Sequence, residues 1–130
     1  MRYHPVEPFS VRGAYVLAVV WSFQVRQGRE DDFEQLHGAD GDWTALSRRS
    51  RSFLGSSFLR ELADPRRYLL TEYWSEMLIY EKHLADYGDE VAELQTRRLA
   101  MVSETTPIGL FEGLDVPDRF GPTWSRRDGR

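Results

Sequence analysis

The sequence predicts one α+β domain whose elements follow the order β-α-β-β-α-β. Residues 15–25 alternate large apolar side chains with smaller or polar ones, which is typical of a strand. Residues 80–101 place apolar side chains mostly three or four apart, which is typical of an amphipathic helix. Two further apolar runs flank a Pro-containing turn and predict a hairpin between these segments. A chain of 130 residues suits one such core.

The first predicted strand is apolar on both faces. Its larger side chains fall on one face, which comprises Tyr15, Leu17, Val19, Trp21, Phe23 and Val25. The other face begins with Val16, Ala18 and Val20 and ends with Ser22 and Gln24. A strand that is apolar on both faces is covered on both sides.

The first helical segment follows a turn at Gln27-Gly28. Residues 29–37 begin with acidic side chains, which the helix dipole favours in a first turn. Asp42 is a candidate cap for a second short helix over residues 43–49.

The hairpin comprises strands over residues 53–62 and 66–74. Gly55 is a candidate bulge in the first of them, and Pro65 occupies the first central position of the turn.

Ser75 is a candidate N-cap for the second helix, and Gly88 predicts that this helix bends or divides. Its apolar stripe comprises Tyr80, Leu84, Tyr87, Val91, Leu94 and Met101. A short last strand is predicted after Pro107, over residues 108–114.

This element order is the ferredoxin-like order, with a four-stranded antiparallel sheet and both helical segments on one face. The domain is predicted over residues 14–114, between an irregular arm at 1–13 and an irregular tail at 115–130. The other face of the sheet would be bare in a monomer. We therefore expect a homodimer that packs sheet on sheet.

Composition excludes several classes of protein. Net charge is −4, with 17 basic and 21 acidic residues interspersed, so no basic nucleic-acid footprint exists. The chain has no cysteine, which excludes disulfides, thiolate nucleophiles and cysteine-metal sites. The longest apolar run, Ala14 to Trp21, is too short for a membrane span, and the N-terminus lacks a signal-peptide core. A cytoplasmic location is the resulting expectation.

The stretch from Trp74 to Tyr87 carries the candidate site. Trp74 closes the third strand, and Tyr80 and His83 lie three apart on the following helix, with Tyr87 one turn later. One interpretation is a core of aromatic side chains at a strand-helix junction. The other is a pocket wall with two proton-transfer groups, since an imidazole titrates near neutral pH.

Two other charged motifs are weaker candidates for a functional site. Arg98 could reach a pocket and stabilise a phenolate, but a solvated Arg97–Arg98 pair near a helix end is the more common arrangement. Glu34-x-x-His37 has the spacing of half a di-iron motif, and no second copy follows. No metal site is predicted.

The combination of several short stretches resembles the antibiotic biosynthesis monooxygenase family across residues 15–114. These stretches are VVWSFQVRQGREDDFE, HGADGDWTALSRRS, FLGSSFLREL and RRYLLTEYWS. The resemblance implies a dimeric α/β barrel of two ferredoxin-like subunits. It also implies a cavity between helices and sheet, where a Trp such as Trp74 and an aromatic six residues later, here Tyr80, form the lining. Some members of the family are cofactor-free oxygenases of anthrones and quinols.

The resulting functional hypothesis is a monooxygenase that needs no cofactor and oxidises an electron-rich aromatic substrate with O₂. The candidate catalytic residues are His83, Tyr80 and Trp74. The candidate substrate-binding residues are Trp21, Trp74, Leu70, Tyr87 and Arg98. A non-catalytic protein that binds a small molecule, or acts as an accessory subunit, is the alternative on the same scaffold.

Haem binding or degradation is a lesser alternative. Haem-degrading members of the family resemble one another in an Asn, a Trp and a His. The corresponding positions here hold Trp21, His83 and about Glu93, so none of the three matches.

Overall fold

The computed structural model describes residues 16–114, in which one four-stranded antiparallel sheet carries four helices on one face. The predicted arm at 1–13, the tail at 115–130 and Tyr15 lie outside these residues. The sheet order is β2-β3-β1-β4, which confirms the ferredoxin-like prediction. The elements in chain order are β1 (Leu17–Val25), α1 (Glu30–His37), α2 (Asp42–Ser47), β2 (Phe53–Arg60), β3 (Arg67–Trp74), α3 (Met77–Asp86), α4 (Gly88–Met101) and β4 (Val102–Glu112).

Strand β1 lies in the centre of the sheet, between β3 and β4. Its larger side chains face the helices as predicted: Leu17, Val19, Phe23 and Val25 are buried, and Trp21 is partly buried. The pairing of β1 with β3 sets Trp21 opposite Leu70 and Leu17 opposite Trp74. Directly opposed residues share a face, so all four side chains point to the helix layer.

The hairpin of β2 and β3 forms as predicted. Asp64 organises its turn, because its carbonyl accepts from the Arg67 amide at 2.9 Å and its carboxylate from the Arg66 amide at 3.1 Å. Gly55 has φ +133° and lies where the β2–β3 register shifts, so the predicted bulge is present. A glycine is favoured there because side chains strain this backbone conformation.

Two predicted helix caps are wrong. Helix α3 begins at Met77 and Ser75 does not cap it; the Ser75 hydroxyl instead lies 2.6 Å from the Ser52 hydroxyl. Gly41 precedes α2, and the Asp42 carboxylate bonds Arg97 at 2.8 Å. In both cases the side chain that was predicted to cap the helix hydrogen-bonds a residue distant in sequence instead.

The second half of the chain differs from the prediction in one boundary. Gly88 divides the predicted second helix into α3 and α4, as expected. Strand β4, however, starts at Val102 directly after α4, six residues before the predicted start. Pro107 is tolerated because β4 is an edge strand and its pairing with β1 shifts register beside this proline.

The two faces of the sheet differ in cover. The helix-facing side and the helices share the buried core, which includes Phe23, Phe33, Tyr68, Leu70 and Leu94. On the opposite side, Leu59, Leu69 and Phe111 are large apolar side chains that remain exposed. None of the helices in residues 16–114 is long and apolar enough to cross a membrane.

Candidate functional site

A cavity of about 10 Å³ lies between the sheet and the helices. It has room for about one water molecule, whereas pockets for drug-sized ligands measure roughly 300–1,000 Å³. The side chains around it are Trp43, Leu46, Ser47, Glu72, Trp74, Tyr80, His83, Leu84 and Val91. The three candidate catalytic residues, Trp74, Tyr80 and His83, therefore line one interior space.

The rings of these residues contact one another in sequence. Trp74 is fully buried, and its ring centroid lies 5.1 Å from that of Tyr80 and 5.0 Å from that of His83. The His83 and Tyr87 centroids are also 5.0 Å apart. This arrangement follows from the local sequence: Trp74 ends a core-facing strand, and the three-residue step from Tyr80 to His83 directs both rings to one helix face.

Burial controls the protonation of the two titratable rings. It lowers the pKa of His83, which is 5% exposed, so the imidazole is neutral at neutral pH and able to accept a proton. Burial, and secondarily the charge of Glu72, raises the pKa of Tyr80, which therefore keeps its hydroxyl proton. The Nδ1 atom of His83 is buried and has no hydrogen-bond partner within residues 16–114.

Glu72 is a member of the site to which sequence reasoning assigned no role. Its Oε2 accepts from Trp43 Nε1 at 2.6 Å and from the Ser47 hydroxyl at 3.4 Å, and its Oε1 accepts from Trp74 Nε1 at 3.3 Å. Burial raises the pKa of Glu72 although these donors and Arg98 act in the opposite direction. The sequence does contain a signal for Glu72, because an acidic residue at a core-facing strand position between Leu70 and Trp74 is unusual.

Arg98 is buried, contrary to the interpretation of a solvated pair. Its guanidinium carbon lies 4.5 Å from the ring centroid of Trp43, 4.9 Å from that of Phe23 and 5.4 Å from that of Trp21. Burial lowers the pKa of Arg98 to about 10, so it remains a cation among aromatic faces. Only its neighbour Arg97 is exposed, where it bonds Asp42.

Several solved structures share this architecture. SnoaB, a cofactor-independent oxygenase from Streptomyces nogalater, superimposes with a TM-score of 0.65 at 23% identity over 81% of this chain and 99% of that chain. A proposed antibiotic biosynthesis monooxygenase from Bordetella bronchiseptica gives 0.61 at 22% identity, over 78% and 98%. One from Nitrosomonas europaea gives 0.60 at 17% identity, over 78% and 92%. The chain has the antibiotic biosynthesis monooxygenase fold.

This likeness lies in the structure rather than in close sequence similarity. Neither a family model nor a curated protein matches the sequence. In this antibiotic biosynthesis monooxygenase fold, the cavity lies between the helix layer and the sheet.

Four candidate substrate-binding residues lie outside the cavity wall. Leu70 is buried in the core, opposite Trp21, and Trp21 packs against Arg98. Tyr87 contacts His83 on one side and lies under the Arg49 guanidinium at 5.3 Å. Of the five predicted binding residues, the structure brings only Trp74 to the cavity itself.

The Glu34-x-x-His37 motif is not arranged as a metal half-site. Glu34 accepts from the Tyr68 hydroxyl at 2.6 Å and from Arg60 at 2.9 Å, at an open surface groove of about 370 Å³. The His37 imidazole is instead enclosed by aromatic rings. Within residues 16–114, no group of three His, Asp or Glu side chains is placed to hold a metal ion.

Proposed function

We propose that the protein is a cofactor-independent monooxygenase that oxidises an electron-rich aromatic compound, anthrone-like or quinol-like, with O₂. The observation that supports this most is the group of side chains around the cavity. A neutral imidazole, a phenol and a carboxyl group line one interior space, in a fold shared with an oxygenase described as cofactor-independent. This combination suits proton transfer in a dry, shaped site.

The proposed reaction begins with His83 as the base. It takes an acidic proton from the substrate, and the Tyr80 hydroxyl and the Trp74 ring hold the resulting anion. The anion passes one electron to O₂, and the radical pair recombines to a peroxide on the substrate carbon. Cleavage of the O–O bond with loss of water leaves a carbonyl, so one CH₂ group and one O₂ give C=O and H₂O.

The cavity must open before an aromatic ring can enter. Trp43, Tyr80 and Leu84 are only partly buried and separate the cavity from the surface. Displacement of these side chains would extend the space toward Tyr87, which already contacts His83. Opening toward the Arg98 side would reach Trp21 and Leu70. We propose these four residues, with Trp74, as the substrate contacts in the opened site.

The second candidate is a non-catalytic protein that binds a small molecule or serves as an accessory subunit. The small volume of the cavity favours the accessory subunit. A space for one water molecule does not by itself accommodate a ring. Oxygen uptake with a panel of anthrones and hydroquinones separates the two candidates. Uptake no faster than in buffer, together with retained binding, favours the second.

Substitution of the proposed base tests the assignment directly. We expect His83→Ala to lower the rate of O₂ uptake by about 10²-fold or more, because general-base catalysis contributes at least this much. Lys82→Ala is the matched control, since Lys82 is an exposed neighbour on the same helix, paired with Asp86. Circular dichroism verifies that both variants fold. A folded His83→Ala protein with unchanged turnover removes His83 from the mechanism.

The proposed partners are the aromatic substrate, O₂ and a second copy of the chain on the bare face of the sheet. The proposed location is the cytoplasm, in line with a chain that contains no cysteine.

A further inference from the structure

Glu72 is a carboxyl group placed where strands normally carry apolar side chains. It lies on the core-facing side of β3, 5% exposed, beside Val19 of β1 and Ser56 of β2 in the sheet register. An ionisable group in such a position is expensive unless hydrogen bonds and an opposite charge compensate for lost water. Both are present, and the same carboxyl group forms part of the cavity wall with His83.

Three donors hold the Glu72 carboxylate in place. Helix α2 supplies the Trp43 indole N–H and the Ser47 hydroxyl, and the Trp74 indole N–H comes from the end of β3 itself. Both indoles belong to the cavity wall, so the donors fix Glu72 relative to the cavity as well as relative to the sheet.

Three ionisable side chains share the cavity with this carboxyl group or act on it by their charge. Tyr80 and His83 of α3 line the same cavity, and Arg98 of α4 is the cation whose charge acts on Glu72. Burial raises the pKa of Glu72 and lowers the pKa of His83. The same cause, loss of water around the charged form, therefore acts on both groups.

We propose that Glu72 is the second catalytic acid–base residue of the cavity, which works with His83 by accepting and returning a substrate proton. This inference rests on the proposed function, and it assigns a group to the second proton transfer of the reaction. A CH₂ group loses two protons on its way to a carbonyl, so one base must act twice or two bases must act once each.

With two groups, each proton has its own acceptor. His83 takes the first C–H proton and returns it to the peroxide anion, which gives a hydroperoxide. The Glu72 carboxylate takes the second C–H proton, the electrons of that bond form the C=O bond, and the O–O bond breaks with hydroxide as leaving group. Glu72 then protonates the hydroxide to water. Both residues end in their starting states.

The kinetic test compares Glu72→Gln with Glu34→Gln in the full chain. Glu34 is the matched control because its carboxylate also accepts two side-chain hydrogen bonds but lies outside the cavity. With an anthrone as probe, we expect Glu72→Gln to lower kcat by about 10²-fold and to leave KM nearly unchanged. It should also remove the contribution of Glu72 to the acid limb of the kcat–pH profile, so that protonation of His83 alone sets that limb. A wild-type rate and profile in folded Glu72→Gln would overturn the proposal.

Trp43→Phe provides a second variant in case Glu72→Gln does not fold. It removes the 2.6 Å donor and keeps the carboxyl group. Loss of a hydrogen bond to the charged form raises the pKa of Glu72 further, so the acid limb should move to higher pH. An acid limb that stays in place overturns the proposal.

A measurement without turnover separates this inference from the oxygenase proposal. Carbon-13 NMR of protein labelled at the Glu carboxyl carbons follows the Glu72 titration, which Glu72→Gln identifies. We expect His83→Ala to shift that titration, since the two groups share one cavity, and Lys82→Ala to leave it unchanged. If no anthrone or hydroquinone is oxidised, the proposed oxygenase function fails, but the titration of Glu72 still tests its coupling to His83. A Glu72 titration that His83→Ala does not shift rejects that coupling.

Discussion

The imidazole of His37 shows how strongly burial among aromatic rings changes the pKa of a side chain. Its ring centroid lies 4.9 Å from that of Phe33, 5.5 Å from that of Trp43 and 5.6 Å from that of Phe23. Neither ring nitrogen has a hydrogen-bond partner within residues 16–114. Burial, and secondarily the charge of Arg98, lowers the pKa of His37 from 6.5 to about 3. The folded protein therefore holds this ring in its neutral form.

This depressed pKa predicts an acid-sensitive fold. The unfolded chain binds a proton at His37 near pH 6.5 and the folded chain only near pH 3, so the unfolded state binds more protons between these values. The free energy of unfolding is therefore unaffected by His37 above pH 6.5 and falls as pH drops below it. At pH 5 the loss from His37 is about 2 kcal/mol.

Urea unfolding at pH 8 and pH 5 measures this loss. We expect His37→Phe to remove that share of the pH dependence, because phenylalanine suits the aromatic cage and does not titrate. The comparison uses the difference between the two pH values in each protein, so a uniform change in packing cancels. An equal fall in wild type and variant contradicts the prediction.

The sequence predicted the placement of those candidate residues whose positions depend on local geometry. Strand alternation placed Trp74 on the core face, and the helical step brought Tyr80 and His83 to one side. It assigned no role to Glu72 and underestimated Arg98, because the burial of a charged group depends on partners distant in sequence. Here that partner is Trp43, whose indole bonds Glu72 and whose ring covers Arg98.

Among the helices and strands, the features that depend on local sequence pattern were predicted correctly. The alternation of β1, the bulge at Gly55 and the division of the second helix at Gly88 all follow from local pattern, and all are present. The first half of β4 was missed because Val102–Pro107 is mainly polar and contains a proline. This segment is a strand because it pairs with β1, and the apolar periodicity of a sequence does not show which strands pair.

Gly41 sets the position of α2, the helix that delivers Trp43 and Ser47 to Glu72. A Cβ atom at Gly41 would overlap the carbonyl oxygens of Leu36 and Gln35, which are backbone atoms and cannot rotate away. We expect Gly41→Ala to lower the free energy of unfolding by about 1–3 kcal/mol, the usual range for forced backbone shifts.

Gly88→Ala is the matched control for Gly41→Ala. A Cβ atom there meets nothing within 4 Å, so alanine should leave stability unchanged or raise it by up to about 1 kcal/mol. Urea unfolding of both variants measures the contrast. Equal effects at the two positions refute the role given to Gly41.

Within residues 16–114, the helices cover one face of the sheet and leave the other face bare. The sequence indicated this through β1, whose second face begins with the apolar residues Ala18 and Val20. On that bare face Leu59 is 52% exposed, Phe111 49% and Leu69 37%. Leu59 and Leu69 are paired neighbours, and Phe111 lies beside Ala18 of β1. Exposed apolar side chains of this size on one face of a sheet are typical of an interface. A second copy of the same face is self-complementary about a twofold axis.

Sedimentation tests whether the protein forms a homodimer through the bare face. We expect wild-type protein to sediment as a dimer and Leu69→Asp to sediment as a monomer, because a carboxylate beside Leu59 on the bare face would lose its water on association. Leu62→Asp is the control, since Leu62 is 100% exposed and lies just before the turn of the β2–β3 hairpin, outside the sheet. It should leave the dimer intact. A wild-type protein that sediments as a monomer at micromolar concentration rules out this interface, and dissociation by both variants places the interface elsewhere.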